Sequence, residues 1–119
     1  KAISSTIREH GRDYWTGTVY TTNRRVWEHD DEFKDYLIKT RSMAVDMETA
    51  TIFVVGFANE IPTGALLLVS DQPMVPEGVK TSESDKRVNQ RFVHEHLQIG
   101  IESLQLLSSN GVTVKHLRF

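Results

Sequence analysis

The sequence predicts an α/β fold on three observations. Between Met43 and Asp71 lie two short apolar segments, and each ends on a carboxylate. A stretch with helical spacing joins them. The second apolar segment, Ala65 to Val69, runs without polar alternation, which fits a strand covered on both faces. Arranged this way, strand ends bring separated acids to one rim.

Taken in order, Lys1 to Asp13 is polar, carries Arg8, His10 and Arg12, and is expected to start loosely. Trp15 to Thr21 is rich in β-branched and aromatic residues and reads as a strand. It ends in the cluster Thr21, Thr22, Asn23, Arg24 and Arg25, a natural place for a phosphate or ribose, or simply a solvated loop. From Glu28 to Arg41 a helix is expected, with Phe33, Tyr36, Leu37 and Thr40 on one face. Acids at its start and Lys39 and Arg41 at its end suit the helix dipole, so the element reads as scaffold.

Met43 to Val45 is brief and extended, and Asp46 stands where a helix N-cap would. Met47, Ala50, Thr51, Val54, Phe57 and Ala58 then recur at three and four, predicting a helix over 47–59 that Pro62 and Gly64 close. The tail of the next strand, Ser70-Asp71, falls at its carboxyl end, where open α/β sheets place their ligands. Gln72 to Ser84 is a proline- and glycine-containing loop of lid length. Ser82, Ser84 or Asp85 caps the last long helix, whose apolar row is Val88, Phe92, Val93, Leu97, Ile101, Leu104 and Leu107. Gly111 reads as its stop, and Val112 to Leu117 as a final strand.

The acids have plain readings beside the chemical one. Asp46 and Glu48 sit where carboxylates commonly cap a first turn. Asp71 before Gln72-Pro73 suits a turn, yet an acid behind five apolar residues needs a partner or a use.

Composition narrows the function classes. A chain of 119 residues buries one core, and 39% hydrophobic with 25% charged residues is ordinary globular composition. A net charge of -2 leaves no polyanion footprint, so nucleic acid is not expected as a partner. Without cysteine there is no disulfide, thiolate metal site or Cys nucleophile. No apolar stretch reaches membrane length and no signal peptide is visible, so a cytoplasmic protein without a membrane partner is expected. The chain opens at Lys1 without an initiator Met, and a fragment or processed product is expected. His94 and His96, two apart on a helix, do not share a face, and no metal-ligand spacing or glycine-rich phosphate loop is present. No metal or cofactor is therefore expected.

VDMETA followed by LLLVSD resembles the paired signature of the purine nucleoside phosphorylase and nucleosidase superfamily. The segments REHGRDYWTGTVYTTNRRVWEHD and SDQPMVPEGVKT are similar, more narrowly, to its AMP nucleosidase branch. The resemblance covers essentially the whole chain. It implies a three-layer α/β/α domain with a central mixed sheet, of which residues 1–119 form the carboxyl-terminal part, and hydrolysis of AMP to adenine and ribose 5-phosphate. By the same resemblance Asp71 protonates purine N7 with Ser70 supporting it, Glu48 binds the ribose hydroxyls, and Met47 packs on the sugar. Arg24 or Arg25 is the expected 5′-phosphate ligand, because a guanidinium fork suits phosphate oxygens.

The sequence also departs from the family. Arg25 occupies the place where many relatives set an aromatic ring against the base, with Trp27 nearby as a substitute. Lys86 and Arg87 are the candidates for a basic partner of Asp71. The family's water- or phosphate-handling residues lie in an amino-terminal half that this chain does not contain. Symmetric oligomers, often hexamers, are the family's habit. Two other readings stay open: a phosphorylase or nucleosidase without nucleotide preference, and a non-catalytic module that binds or assembles.

Overall fold

The computed structural model describes residues 1–109. Its elements are α1 (Ala2–Glu9), β1 (Thr18–Thr21), a 3-10 turn (Trp27–His29), α2 (Asp31–Lys39), β2 (Ser42–Asp46), α3 (Thr49–Ala58), α4 (Ser82–Val88), a π-helical segment (Asn89–Val93) and α5 (His94–Ser109). The expected strand over 112–117 and the Gly111 stop lie outside the described residues.

β1, α2 and β2 form a βαβ unit. The two strands pair in parallel, with Val19 opposite Ala44, Tyr20 opposite Val45 and Thr21 opposite Asp46. A parallel pair needs a crossover, and α2 supplies it. Phe33 and Leu37 are the buried residues of α2, one turn apart on its inner face. Tyr20 of β1 meets Phe33 edge to face at 5.3 Å between ring centres, fixing the helix over the strand. Asp30 caps α2 by accepting from the Phe33 N–H at 3.0 Å. The helix is shorter than the 28–41 expectation because Trp27–His29 is wound as a separate 3-10 turn ahead of that cap.

The start of the chain is ordered rather than loose. α1 buries Thr6 and Ile7 against α5, which buries Ile99 and Ser103. It closes in a Schellman motif: Gly11, at φ 67°, donates to Arg8 and Arg12 donates to Ile7. Two contacts join the same seam, a hydrogen bond between His10 and Glu102 at 2.6 Å and an ion pair between Arg12 and Glu95 at 2.7 Å. The face of α5 in use is thus the one carrying Glu95, Ile99, Glu102 and Ser103. Of the expected apolar row, Leu97, Ile101, Leu104 and Leu107 are exposed, while Val88, Phe92 and Val93, ahead of α5, are half-buried.

α3 is apolar on every side and only its Gly56 is buried. Val54 and Phe57 are 66% and 80% exposed. A Schellman motif with Glu60 at φ 55° ends the helix, earlier than Pro62. Where a strand is expected over 65–69 the chain has no regular secondary structure, its residues alternating exposed and half-buried. An unbroken apolar run specifies burial on both faces, but among the described residues no neighbouring strand is hydrogen-bonded to it. The sheet described is two-stranded, in the order β1-β2.

Candidate active site

The carboxyl ends of β1 and β2 meet the start of α3, and a hydrogen-bond network joins all three. Thr21 Oγ1 donates to Asp46 Oδ1 at 2.6 Å and accepts from the Ala50 N–H at 2.9 Å. Asp46 Oδ2 accepts from the Thr49 N–H at 2.7 Å and from the Thr49 hydroxyl. Asp46 is therefore the side chain that caps α3, as its plain reading held. Glu48 occupies the backbone N-cap position but makes no capping bond, and its side chain is exposed. A carboxylate spared from capping is available to accept hydroxyl donors.

Beside this network a hollow of about 520 Å³ is lined by Tyr20, Thr21, Thr22, Asn23, Arg24, Met47 and Thr51. Its position outside the carboxyl ends of parallel strands is the place where such folds receive ligands. Arg24 reaches it while paired with Asp30 at 2.7 Å and stacked over the Phe33 ring at 4.9 Å. Its backbone N–H donates to Thr22 Oγ1, so the turn is built from buried Thr22 outward. Arg25 is exposed, does not line this hollow, and has no ion-pair partner among the described residues. Trp27 packs edge to face on Phe33 at 5.9 Å, which commits it to the α2 core.

Asp71 lies in a second hollow, of about 410 Å³, with Ser70, Gln72, Glu77, Gly78 and Ser84. Ser70 Oγ donates to Asp71 Oδ1 at 2.5 Å. The loop that follows is folded on itself: Gln72 N–H donates to Gly78, Gly78 N–H to Val75, and Val75 N–H to Gln72. A Cβ on Gly78 would fall 1.9 Å from the Gln72 carbonyl oxygen, so glycine is required there. At the base of the loop Lys80 pairs with Asp85 at 2.8 Å. The Asp85 hydrogen bond raises the Lys80 ammonium above the usual lysine range, with the Asp71 charge acting in the same direction against desolvation. Lys86 and Arg87, the sequence candidates for a basic partner of Asp71, make no ion pair with it among the described residues, and Lys80 is the cation paired at the base of this loop, with Asp85.

The predicted residues thus fall into two groups. Met47 and Arg24 share the strand-end hollow, with Glu48 at its margin in sequence; Ser70 and Asp71 share the loop hollow. Among the described residues no cluster of His, Asp and Glu is suited to hold a metal ion, and no helix is long and apolar enough to cross a membrane.

Residues 1–106 match the model of the phosphorylase superfamily, and the chain belongs to that family. Its fold is nucleoside phosphorylase-like. Within the family, the chain is similar to an AMP nucleosidase from Bacteroides thetaiotaomicron of known crystal structure, at 51% identity and a TM-score of 0.73. That match covers 94% of this chain and 40% of the other. It is also 40% identical over 97 residues to the AMP nucleosidase of Escherichia coli K12, and equally to that of Escherichia coli O157:H7. Those matches cover 81% of this chain, which spans 20% of the length of either curated relative.

Proposed function

We propose that the chain is the carboxyl-terminal part of a three-layer α/β/α catalytic domain that hydrolyses AMP to adenine and ribose 5-phosphate. The observation that carries this reading is the 51% identity to a solved AMP nucleosidase across 94% of the chain. In the complete domain the strand-end hollow and the loop hollow form one crevice, with the sugar at the first and the base at the second.

The chemistry follows from the two groups. Water adds to C1′ of the ribosyl group as the bond from C1′ to N9 breaks, and the electron pair of that bond passes into the purine. The proton that the water sheds leaves to solvent, from which Asp71 is reprotonated after turnover. Protonated Asp71 gives its hydrogen to N7, so adenine leaves neutral. Ser70, donating to Asp71 Oδ1 at 2.5 Å, steadies the carboxylate that forms. Ionised Glu48 accepts the ribose hydroxyls, and Met47 packs on the sugar. Arg24 or Arg25 meets the 5′-phosphate. Arg24 is the better placed, since it lines the hollow, but it must exchange Asp30 for the phosphate. The enzyme works in the cytoplasm as a symmetric oligomer.

Product analysis of the complete polypeptide tests the reaction. Ribose 5-phosphate from AMP is expected; ribose 1-phosphate from a nucleoside would instead mark a phosphorylase. Asp71→Asn is expected to lower kcat by about 100-fold or more. Arg24→Met and Arg25→Met, compared on AMP and adenosine, separate the two phosphate candidates: the true ligand loses rate on AMP alone, and equal losses on both substrates remove the role.

A further inference from the structure

The two residues expected to meet the sugar, Met47 and Glu48, occupy a short turn between β2 and α3 whose two ends are fixed by side chains. At one end Asp46 is pinned in the sheet, where its carbonyl accepts from the Thr22 N–H at 2.8 Å. At the other, the first two N–H groups of α3 are held, Thr49 by Asp46 Oδ2 and Ala50 by Thr21 Oγ1. Thr21 and Asp46 are register partners in β1 and β2, so one hydroxyl bridges both strands to the helix. That hydroxyl gives its hydrogen to Asp46 and one of its two lone pairs to the Ala50 N–H.

We propose that Thr21 and Asp46 are positioning residues that hold the Met47-Glu48 turn in register with the ribose. The assignment rests on Glu48 being the hydroxyl-binding carboxylate. Hydroxyl recognition demands placement to a few tenths of an ångström, because a hydrogen bond weakens steeply with distance and angle. A capping carboxylate alone would fix the helix start. The added hydroxyl from the neighbouring strand fixes the helix relative to the sheet, and with it the depth at which Glu48 stands. Thr21 also lines the strand-end hollow beside Met47, so its loss is felt where the sugar sits.

The test compares AMP with 2′-deoxy-AMP in the complete enzyme. Thr21→Val keeps the shape of the side chain and removes the bridge; the preference in kcat/KM for AMP over the deoxy substrate is expected to fall about tenfold. Thr21→Ser restores it, and Asp46→Asn moves it in the same direction. In a Glu48→Gln background Thr21→Val is expected to change the preference no further, since the two act through one contact. A role confined to stability would lower both substrates alike and leave the ratio standing. If Glu48→Gln reduces the preference while Thr21→Val and Asp46→Asn, folded by their melting curves, leave it intact, the positioning role is overturned and the sugar clamp survives. If Glu48→Gln itself spares the preference, the sugar clamp falls and takes the positioning role with it.

Discussion

His10 Nε2 and Glu102 Oε2 meet at 2.6 Å although 92 positions separate them in sequence. Arg12 and Glu95 repeat the arrangement about two turns of α5 away with a forked pair, at 2.8 and 2.7 Å. The two contacts fasten α1 to α5 around Ile7 and Ile99.

The seam carries a pH dependence whose sign is fixed by its acids. The Arg12 hydrogen bond holds Glu95 below the usual glutamate range, and hydrogen bonds from Gln98 and then His10 do the same for Glu102. A carboxyl with a depressed folded-state value stabilises fully above its unfolded value and loses that contribution as pH falls through the folded one. The melting temperature is therefore expected to drop as pH is lowered through and below about 4.3. Glu95→Gln is expected to melt lower at neutral pH and to lose less on acidification, which thermal unfolding followed by circular dichroism across that range would check.

Gly78→Ala is expected to open the loop without unfolding the protein. The new Cβ meets backbone at Gln72, which cannot rotate away as a side chain would. Local strain of about 1–3 kcal/mol is expected. Limited proteolysis should then cut within 72–78 much faster than in the parent chain, while α5 remains protected.

Asp30 has two jobs that two substitutions separate. It caps α2 through Phe33 N–H and pairs with Arg24. Asp30→Ala is expected to cost about 1 kcal/mol by loss of the cap. Asp30→Asn keeps an acceptor for the cap and should cost less than that, because the exposed ion pair contributes about 0–1 kcal/mol. Urea denaturation of both variants measures the difference.

The outward apolar face of α3 predicts self-association of this 119-residue chain. Phe57→Lys, at a position 80% exposed, is expected to leave stability within about 0.5 kcal/mol and to raise the concentration at which light scattering detects aggregates.

Much of this architecture could be read from residue patterns, and the failures have physical causes. The separate elements of the βαβ unit were legible because their signals are local, with β-branched residues in Thr18–Thr21, an apolar pair in α2 and acids at the start of α2. The parallel pairing of the strands was not. α3 was legible in extent, but its period was misleading, since apolar residues cover the whole helix and no single face is marked. α1 was missed because its only apolar signal is Ile3 and Ile7, and what holds it is packing on α5 together with two polar contacts to residues 83 and 92 positions away. The same remoteness hid the true inner face of α5. Over 65–69 the composition specified a strand, whereas pairing depends on a neighbour that composition does not supply. At the site, Asp46 could be recognised as a cap from its place before a helix; the bridging role of Thr21 could not, because it exists only once β1 and β2 are in register.

The separation of the α1–α5 partners in sequence orders the events of folding. The βαβ unit joins residues close along the chain and pays little closure entropy, so it forms early; the seam must bring distant segments together and forms late. Weakening the seam should consequently leave the refolding rate almost unchanged and show itself as faster unfolding, the kinetic mark of contacts absent from the transition state.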